Sequence, residues 1–279
     1  MSLVRTDEML LRAQSGGYAV GAFNVENLEM IQAVIDSAEK MRAPVIIQTT
    51  PGTLGYAPPE AFAGAVRALA MEASVPVALH LDHGNSFELT VRCRNAGYTS
   101  VMIDGSLLPF DDNVKLTRSV VEASADIPVE AELGTVGGKE DSHSASVRYT
   151  DPGQAAEFVE RTGVSSFAPA IGTAHGIYKD EPVLRIDLLR EIRAAVSVPL
   201  VLHGTSGVSD ETVGECIKAG ICKVNYATDL RCAFTQAVRS ALDNGKDIID
   251  PKKYLAAGRT AVEQRVCELI RVCSCEGKA

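Results

Sequence analysis

The chain has 279 residues, of which 46% are hydrophobic and 23% are charged, so it can build a sizeable core and is not expected to be disordered. Its net charge of -9 at pH 7 disfavours nucleic acid and anionic membranes as partners. The first residues mix charges into apolar positions, so we expect no secretory signal, and no apolar run approaches the length of a membrane helix. Seven scattered cysteines do not form a disulfide framework, which predicts a reduced, cytoplasmic protein.

Short apolar runs alternate along the chain with segments of helical periodicity. Runs rich in Val, Ile and Leu predict parallel strands buried on both faces. The predicted strands are residues 18–24, 43–50, 75–82, 99–104, 127–133, 165–172, 198–203 and 221–228. Several of the helical segments between them end at glycine, as helices commonly do. This order predicts an α/β protein with a (β/α)8 TIM barrel in one domain, residues 1–279, and an extra C-terminal helix from about Pro251; a doubly wound sheet is the alternative.

Polar residues at the ends of the predicted strands are the candidates for an active site, because barrel enzymes build their sites there. The third run ends in Asp82 and His83, the sixth is followed by His175, and the seventh ends in His203. Three histidines around one mouth would suit a catalytic zinc with an open fourth position. Neighbouring residues of a regular strand point to opposite faces, so Asp82 and His83 share the site only if the chain turns, and we expect Gly84 to allow that turn.

The remaining polar features give weaker predictions. Alternation places His80 on the opposite face from His83, which predicts a buried structural histidine with its hydrogen bonds satisfied. The long, glycine-containing loop after the fifth strand carries His143, which we expect to be solvated, and Glu140, which could act as a mobile base. The turns after strands seven and eight, HGTSG and NYAT, are typical of phosphate-binding loops in barrels.

These motifs together resemble the class II, zinc-dependent ketose-bisphosphate aldolases. The segments that carry the resemblance span nearly the whole chain in the family's order: AFNVENL, LHLDHG, SVMIDGS, VEAELGTVGG, IGTAHG, PLVLHG and KVNYAT. The resemblance implies a zinc enzyme that reversibly cleaves a ketose 1,6-bisphosphate into dihydroxyacetone phosphate and glyceraldehyde 3-phosphate. It also implies a homodimer or homotetramer and a monovalent cation, Na+ or K+, near the phosphate.

The resemblance assigns a role to each matching position. It makes Asp82 the proton donor and Glu140 the mobile glutamate that moves a proton on dihydroxyacetone phosphate. It implies that the catalytic zinc ligands are His83, His175 and His203. It implies that Asp104 and Glu132 hold zinc in an alternate, buried position. The substrate-binding positions that it implies are Asn24, Thr50, Gly176, Gly204, Thr205, Ser206, Asn225, Tyr226, Ala227 and Thr228. Arg259 is implied to reach the distal phosphate of a substrate held by a neighbouring subunit.

The motifs do not agree on the substrate. Gly84 resembles fructose-type and inositol-pathway members, whereas GTAHG and Ala227 resemble tagatose-type members. Fructose 1,6-bisphosphate is favoured; tagatose 1,6-bisphosphate and 2-deoxy-5-keto-gluconate 6-phosphate are the alternatives. One further hypothesis is a Schiff-base aldolase that uses Lys223, which is two residues before Asn225 on the same predicted strand and could therefore also face inward. Another is a partner subunit that binds sugar phosphate without catalysis.

Overall fold

The computed structural model describes residues 3–124, 126–135, 137–138, 148–176, 182–245 and 248–279. The strands of this part of the chain are β1 Val20–Asn24, β2 Val45–Thr49, β3 Val77–Gly84, β4 Ser100–Ile103, β5 Val129–Leu133, β6 Gly137–Gly138, β7 Ser166–Pro169, β8 Ala174–His175, β9 Leu200–Leu202 and β10 Ile221–Tyr226. All except β6 and β8 form a closed parallel barrel in the order β1-β10-β9-β7-β5-β4-β3-β2. The predicted (β/α)8 barrel is confirmed, and each predicted run overlaps one barrel strand, with β3 continuing two residues beyond its run to Gly84.

Helices follow the barrel strands on the outside. In the described residues they are α1 Thr6–Gly16, α2 Leu28–Met41, α3 Pro51–Tyr56, α4 Pro59–Ala70, α5 Phe87–Ala96, α6 Phe110–Ala123, α7 Pro152–Thr162, α8 Ile186–Ala195, α9 Asp210–Lys218, α10 Thr228–Asn244 and α11 Pro251–Val272. Several begin at a residue whose side chain accepts a backbone N–H of the first turn, such as Asn27, Ser86 and Ser209. The helix α11 is the predicted C-terminal helix, whereas α1 and α3 were not predicted. None of the helices in these ranges is both long and apolar enough to cross a membrane.

The amino ends of the strands are closed by apolar residues. On α1, Leu10 is 1% exposed and Ala13 is fully buried. The backbone of the N-terminal segment is tied to the barrel where the Val4 N–H donates to the Val77 carbonyl over 2.9 Å. This end therefore holds core packing and leaves the polar chemistry to the other end.

A row of polar residues crosses the barrel interior toward the carboxyl ends. The parallel register pairs Asn24 with Gln48, Gln48 with His80, and His80 with Ser100, so these residues lie at one level of neighbouring strands. Such levels in barrels are usually filled with bulky aliphatic side chains. The polar filling marks this part of the interior as the floor of a site.

Candidate active site at the carboxyl end of the barrel

One cavity opens at the carboxyl ends of the strands. Its lining residues come from β1, β3 and β10 and from the loops after β8, β9 and β10: Asn24, Asp82, His83, Gly176, Gly204, Thr205, Ser206, Asn225, Ala227 and Thr228. Every one of these residues stands among the site residues predicted from the sequence. The cavity thus gathers candidates that are as far apart in the chain as Asn24 and Thr228.

The turn that brings Asp82 and His83 to one site occurs at His83 itself. Its φ of 48° lies in the left-handed region, which is uncommon for a residue with a side chain, and the β3–β4 register shifts between Leu81 and Gly84. The expectation that Gly84 makes the turn was therefore wrong. Glycine is required there for close packing, since a Cβ on Gly84 would overlap the carbonyl oxygen of Met102 on β4.

Asp82 is held between two amide side chains. Asn24 Nδ2 donates to its Oδ2 over 2.9 Å, Asn225 Nδ2 donates to its Oδ1 over 3.0 Å, and Gln48 Nε2 orients Asn24 over 2.7 Å. Burial would raise the pKa of Asp82, but the neighbouring His83 and then other positive groups and hydrogen bonds lower it below its ordinary value. Asp82 is accordingly an oriented, ionised carboxylate that can accept a proton.

The side chains of His83 and His203 converge on one point. His83 Nε2 lies 2.9 Å from His203 Nδ1, and each ring holds a carboxylate with its other nitrogen: His83 Nδ1 with Asp104 Oδ2 and His203 Nε2 with Glu130 Oε1, both over 2.9 Å. Carboxylate–histidine pairs of this kind orient the metal-binding nitrogens of protein metal sites. The two facing nitrogens are therefore arranged as ligands of one ion.

Carboxylates complete the donor set. Glu132 Oε2 lies 3.5 Å from His203 Nδ1, and the side chain of Glu132 is buried. The ligand atoms of Asp82, His83 and His203 lie within 4.8 Å of one another, and so do those of His83, Asp104 and Glu132. Imidazole and carboxylate donors suit zinc and other first-row divalent metals. The residues present therefore fit a metal ion.

The pKa values of the two histidines are shifted in opposite directions. Burial would lower the pKa of His83, but Asp82 and then Asp104 hold that pKa well above its ordinary value. Burial lowers the pKa of His203, which favours its neutral form. A metal ion binds the neutral imidazole, so it would compete with a proton at His83.

The side chains of two predicted residues of the same site, His175 and Glu140, lie outside the described part of the chain. His175 lies in β8, where it pairs with Gly138 of β6, and its neighbour Gly176 lines the cavity; the side chain of His175 is outside the described part. Glu140 and His143 lie outside the described residues. The backbone pairing nevertheless joins the loops after β5 and β7 at the mouth of the barrel.

The opposite wall of the cavity is suited to a phosphate. Ala227 is the N-cap of α10, its methyl side chain cannot accept a first-turn N–H group, and both Ala227 and Thr228 line the cavity. The loop after β9 is fixed onto this helix start, because Thr205 Oγ1 donates to the Asn225 carbonyl and Ser206 Oγ accepts from the Asp229 N–H. A helix N-terminus flanked by small and hydroxyl residues is a common anion site.

Three predicted substrate residues lie outside the cavity lining. The ring of Tyr226 stacks on Phe23, and its hydroxyl lies 3.7 Å from Cys273 Sγ, so only its backbone can serve the site. Thr50 is buried as the N-cap of α3. Arg259 on α11 forms an ion pair with Asp36 on α2.

Sequence reasoning missed the role of Glu130 and gave Lys223 a different one. Lys223 does face inward, as predicted, but its Nζ donates to both oxygens of Glu130, over 3.1 and 2.8 Å, and it does not line the cavity. Burial would raise the pKa of Glu130, yet Lys223 and His203 hold it well below its ordinary value. The signal was present in the sequence as two charged residues at inward positions of otherwise apolar strands. The arrangement gives no support to a Schiff base at Lys223.

His80 is buried, as predicted, but only one of its ring nitrogens is satisfied. Nδ1 bonds Ser100 Oγ over 2.8 Å, whereas Nε2 lies 3.9 Å from Glu130 Oε2 and has no hydrogen-bond partner among the described residues. Burial lowers the pKa of His80 to about 3, so the ring is neutral.

A family model and solved structures match nearly the whole chain. A family model described as fructose-bisphosphate aldolase class-II matches residues 4–278. The structure of the YdjI aldolase from Escherichia coli K12 shares 40% identity with a TM-score of 0.88 and covers 99% of each chain. A putative fructose-1,6-bisphosphate aldolase from Coccidioides immitis shares 30% identity with a TM-score of 0.91, over 98% of this chain and 97% of that one.

A third structure, fructose-bisphosphate aldolase from Campylobacter jejuni, supports the fold alone, because its identity is 24%; its TM-score is 0.83 over 100% of this chain and 97% of that one. The family match spans nearly the whole chain and coincides with the barrel and its cavity. The chain therefore belongs to the class II fructose-bisphosphate aldolase family, and it is an aldolase.

Proposed function

We propose that the protein is a zinc-dependent aldolase that reversibly cleaves fructose 1,6-bisphosphate into dihydroxyacetone phosphate and glyceraldehyde 3-phosphate. One observation carries the proposal: a single cavity has Asp82 and His83 on one wall and the start of α10, with Ala227 and Thr228, on another. A ketose phosphate held by its phosphate at the helix would present its carbon chain to the acid–base group.

The metal ligands in this proposal are His83, His175 and His203, with Asp104 and Glu132 available for an alternate position. The facing nitrogens of His83 and His203 and the buried carboxylate of Glu132 support this assignment. A bound zinc would act as a Lewis acid and stabilise the negative charge that develops on the three-carbon half, a contribution of several kcal/mol.

Asp82 carries the proton of the bond-breaking step. In cleavage it accepts the proton of the C4 hydroxyl as the C3–C4 bond breaks, and in condensation it returns that proton to the aldehyde oxygen. The two amides that donate to its oxygens fix the direction of the carboxylate. Glu140 is proposed as the mobile glutamate that moves a proton on the three-carbon product.

The remaining predicted residues bind the substrate. Gly204, Thr205, Ser206 and Thr228 surround the proposed phosphate position, where a Na+ or K+ ion is also proposed. Asn24 and Asn225 lie beside the carbon chain, and Thr50 and the Tyr226 backbone are proposed further contacts. The protein is proposed to be cytoplasmic and to form a homodimer or homotetramer in which Arg259 reaches a neighbour's distal phosphate.

A second substrate candidate is tagatose 1,6-bisphosphate, the C4 epimer. Ala227 and Gly176, which belong to the tagatose-like segments of the sequence, both line the cavity. The epimers differ at the carbon that carries the hydroxyl for Asp82, so this residue's surroundings decide between them. The substrate 2-deoxy-5-keto-gluconate 6-phosphate is the remaining alternative.

Cleavage of fructose and tagatose 1,6-bisphosphates by the purified protein tests the proposal. Each assay is run as purified, after EDTA, and after zinc is restored. We expect EDTA to abolish cleavage, zinc to restore it, and fructose 1,6-bisphosphate to have the higher kcat/KM. Activity that resists EDTA would contradict the zinc proposal, and so would inactivation of the enzyme by borohydride in the presence of substrate. If tagatose 1,6-bisphosphate is cleaved faster, it becomes the proposed substrate in place of fructose 1,6-bisphosphate.

A further inference from the structure

The buried pair of Glu130 and Lys223 lies beside the metal-binding His203 and takes no part in the proton transfer described above. Glu130 is 2% exposed and Lys223 is fully buried. Their strands, β5 and β10, are not neighbours in the barrel, since β7 and β9 lie between them. The ion pair therefore crosses the barrel interior.

Stability alone is a weak reason for such a pair. Removing two charges from water is costly, and buried ion pairs can often be replaced by apolar residues with no loss of stability. Barrel interiors are ordinarily filled by aliphatic side chains, which have no such cost. We therefore expect the pair to serve the neighbouring site rather than stability.

The pair is joined to the metal site through one hydrogen bond. Lys223 Nζ donates to both carboxylate oxygens of Glu130, and Glu130 Oε1 also accepts from His203 Nε2–H over 2.9 Å. When the proton of the neutral His203 ring is on Nε2, the Nδ1 atom carries a lone pair. This lone pair faces His83 Nε2, 2.9 Å away, where the metal ion would bind. The other tautomer would place a proton where the ion binds.

We propose that Glu130 and Lys223 are positioning residues of the metal site: Lys223 holds the Glu130 carboxylate as an acceptor, and Glu130 fixes the tautomer and direction of His203. The inference rests on the proposed metal-dependent function and assigns this site two residues that do not touch the substrate cavity. Carboxylates that orient metal-binding histidines typically change metal affinity by about 10- to 100-fold.

Zinc affinity measured by competition with a chromophoric chelator tests the inference on the full-length protein. The variants are Glu130→Gln, Lys223→Met and the double variant, and the visible spectrum of the cobalt-loaded proteins reports the ligand geometry. In Glu130→Gln we expect zinc to bind about 10- to 100-fold more weakly. In Lys223→Met we expect weaker binding in the same direction, since Glu130 loses its only strong cationic partner among the described residues.

The double variant separates positioning from folding. It leaves no buried charge without a partner, so we expect it to fold even if the single variants do not. Its zinc affinity should still be about 10- to 100-fold weaker than that of the wild type, with altered cobalt bands. The control Tyr98→Phe removes a buried hydrogen bond to Thr49 away from the site and should lower Tm without changing zinc affinity.

The outcomes are distinguishable. A double variant that binds zinc as tightly as the wild type, with unchanged cobalt bands, would overturn the positioning role and leave the proposed function intact. A wild-type protein that binds no zinc would overturn the proposed function and this inference with it.

Discussion

The two ends of the barrel are built from different kinds of residue. At the amino end, Leu10 and Ala13 of α1 pack against the strands in ordinary backbone conformations. At the carboxyl end, His83 has a left-handed backbone and Asp82 is an ionised carboxylate with 2% exposure. Strain and buried charge oppose folding, so the carboxyl end is expected to serve activity and the amino end stability. The difference can be tested by substitutions at each end.

The largest effect is expected from His83→Ala, which removes a proposed metal ligand. We expect bound zinc to be lost and kcat/KM to fall by about 10³-fold or more, since several kcal/mol of charge stabilisation are lost. Metal analysis and steady-state kinetics on protein that is folded by circular dichroism measure this. A folded variant with bound zinc and full activity would refute the role of His83.

The next effect is expected from Asp82→Asn, which keeps the volume of the side chain but removes its capacity to accept a proton. We expect kcat to fall by about 10²- to 10⁴-fold with zinc still bound. The measurement is kcat on zinc-loaded protein, beside its zinc content. A variant that loses its zinc instead would make Asp82 a metal ligand, as its distance to His83 and His203 also allows.

The reverse pattern is expected at the amino end from Leu10→Ala. Truncating this buried side chain should lower the free energy of unfolding by about 2–5 kcal/mol and leave kcat/KM at 25 °C unchanged. The neighbouring Leu11 is 54% exposed on the same helix, so Leu11→Ala is the matched control, with an expected change within about 0.5 kcal/mol. Denaturant unfolding measures both, and a large fall in kcat/KM for Leu10→Ala would break the division between the ends.

The smallest effect is expected from Glu39→Gln, also at the amino end. The Glu39 carboxylate accepts the N–H groups of Ser74 and Val75 and the Ser74 hydroxyl. Burial would raise its pKa, but these hydrogen bonds lower it below the ordinary value of 4.5. A lowered folded-state pKa stabilises the protein above the unfolded pKa, and this contribution is lost as the pH falls through the folded value.

At pH 7 we therefore expect Glu39→Gln to lower stability by no more than about 1 kcal/mol, because the group is partly solvated. The difference in Tm between wild type and variant should stay constant from pH 7 to about pH 5 and should shrink as the pH is lowered from about 4.5 toward about 3, through the lowered pKa of Glu39. A difference that stays constant over the lower range as well would show that the charge of Glu39 is not the cause.

The barrel could be predicted from the sequence because its signal is local. The apolar runs that contain β2 and β9 are short and continuous, which is typical of strands buried on both faces. The helix α3 was missed because its 6 residues are too few to show an apolar period, whereas α1 was not predicted although its 11 residues bury Met9, Leu10 and Ala13. The ligands His83 and His203 were predictable from their place after strand ends once the barrel was inferred.

The geometry within the site was less predictable. The turn at His83 was assigned to Gly84, because glycine is the usual residue at a positive φ; here the β3–β4 contact needs the glycine and the histidine takes the left-handed conformation. Tyr226 was predicted as a substrate contact from its motif, whereas its position on β10 turns its ring toward Phe23.

The sequence by itself determined the barrel, the family and the identity of the polar residues around its mouth, because strand periodicity and motif order are written along the chain. Only the tertiary structure decided which of these residues act on one another. The contact of Glu130 with both Lys223 and His203 joins β5, β10 and the end of β9, which are distant in sequence. Such a contact depends on strand register and barrel closure, and no local pattern of residues specifies either.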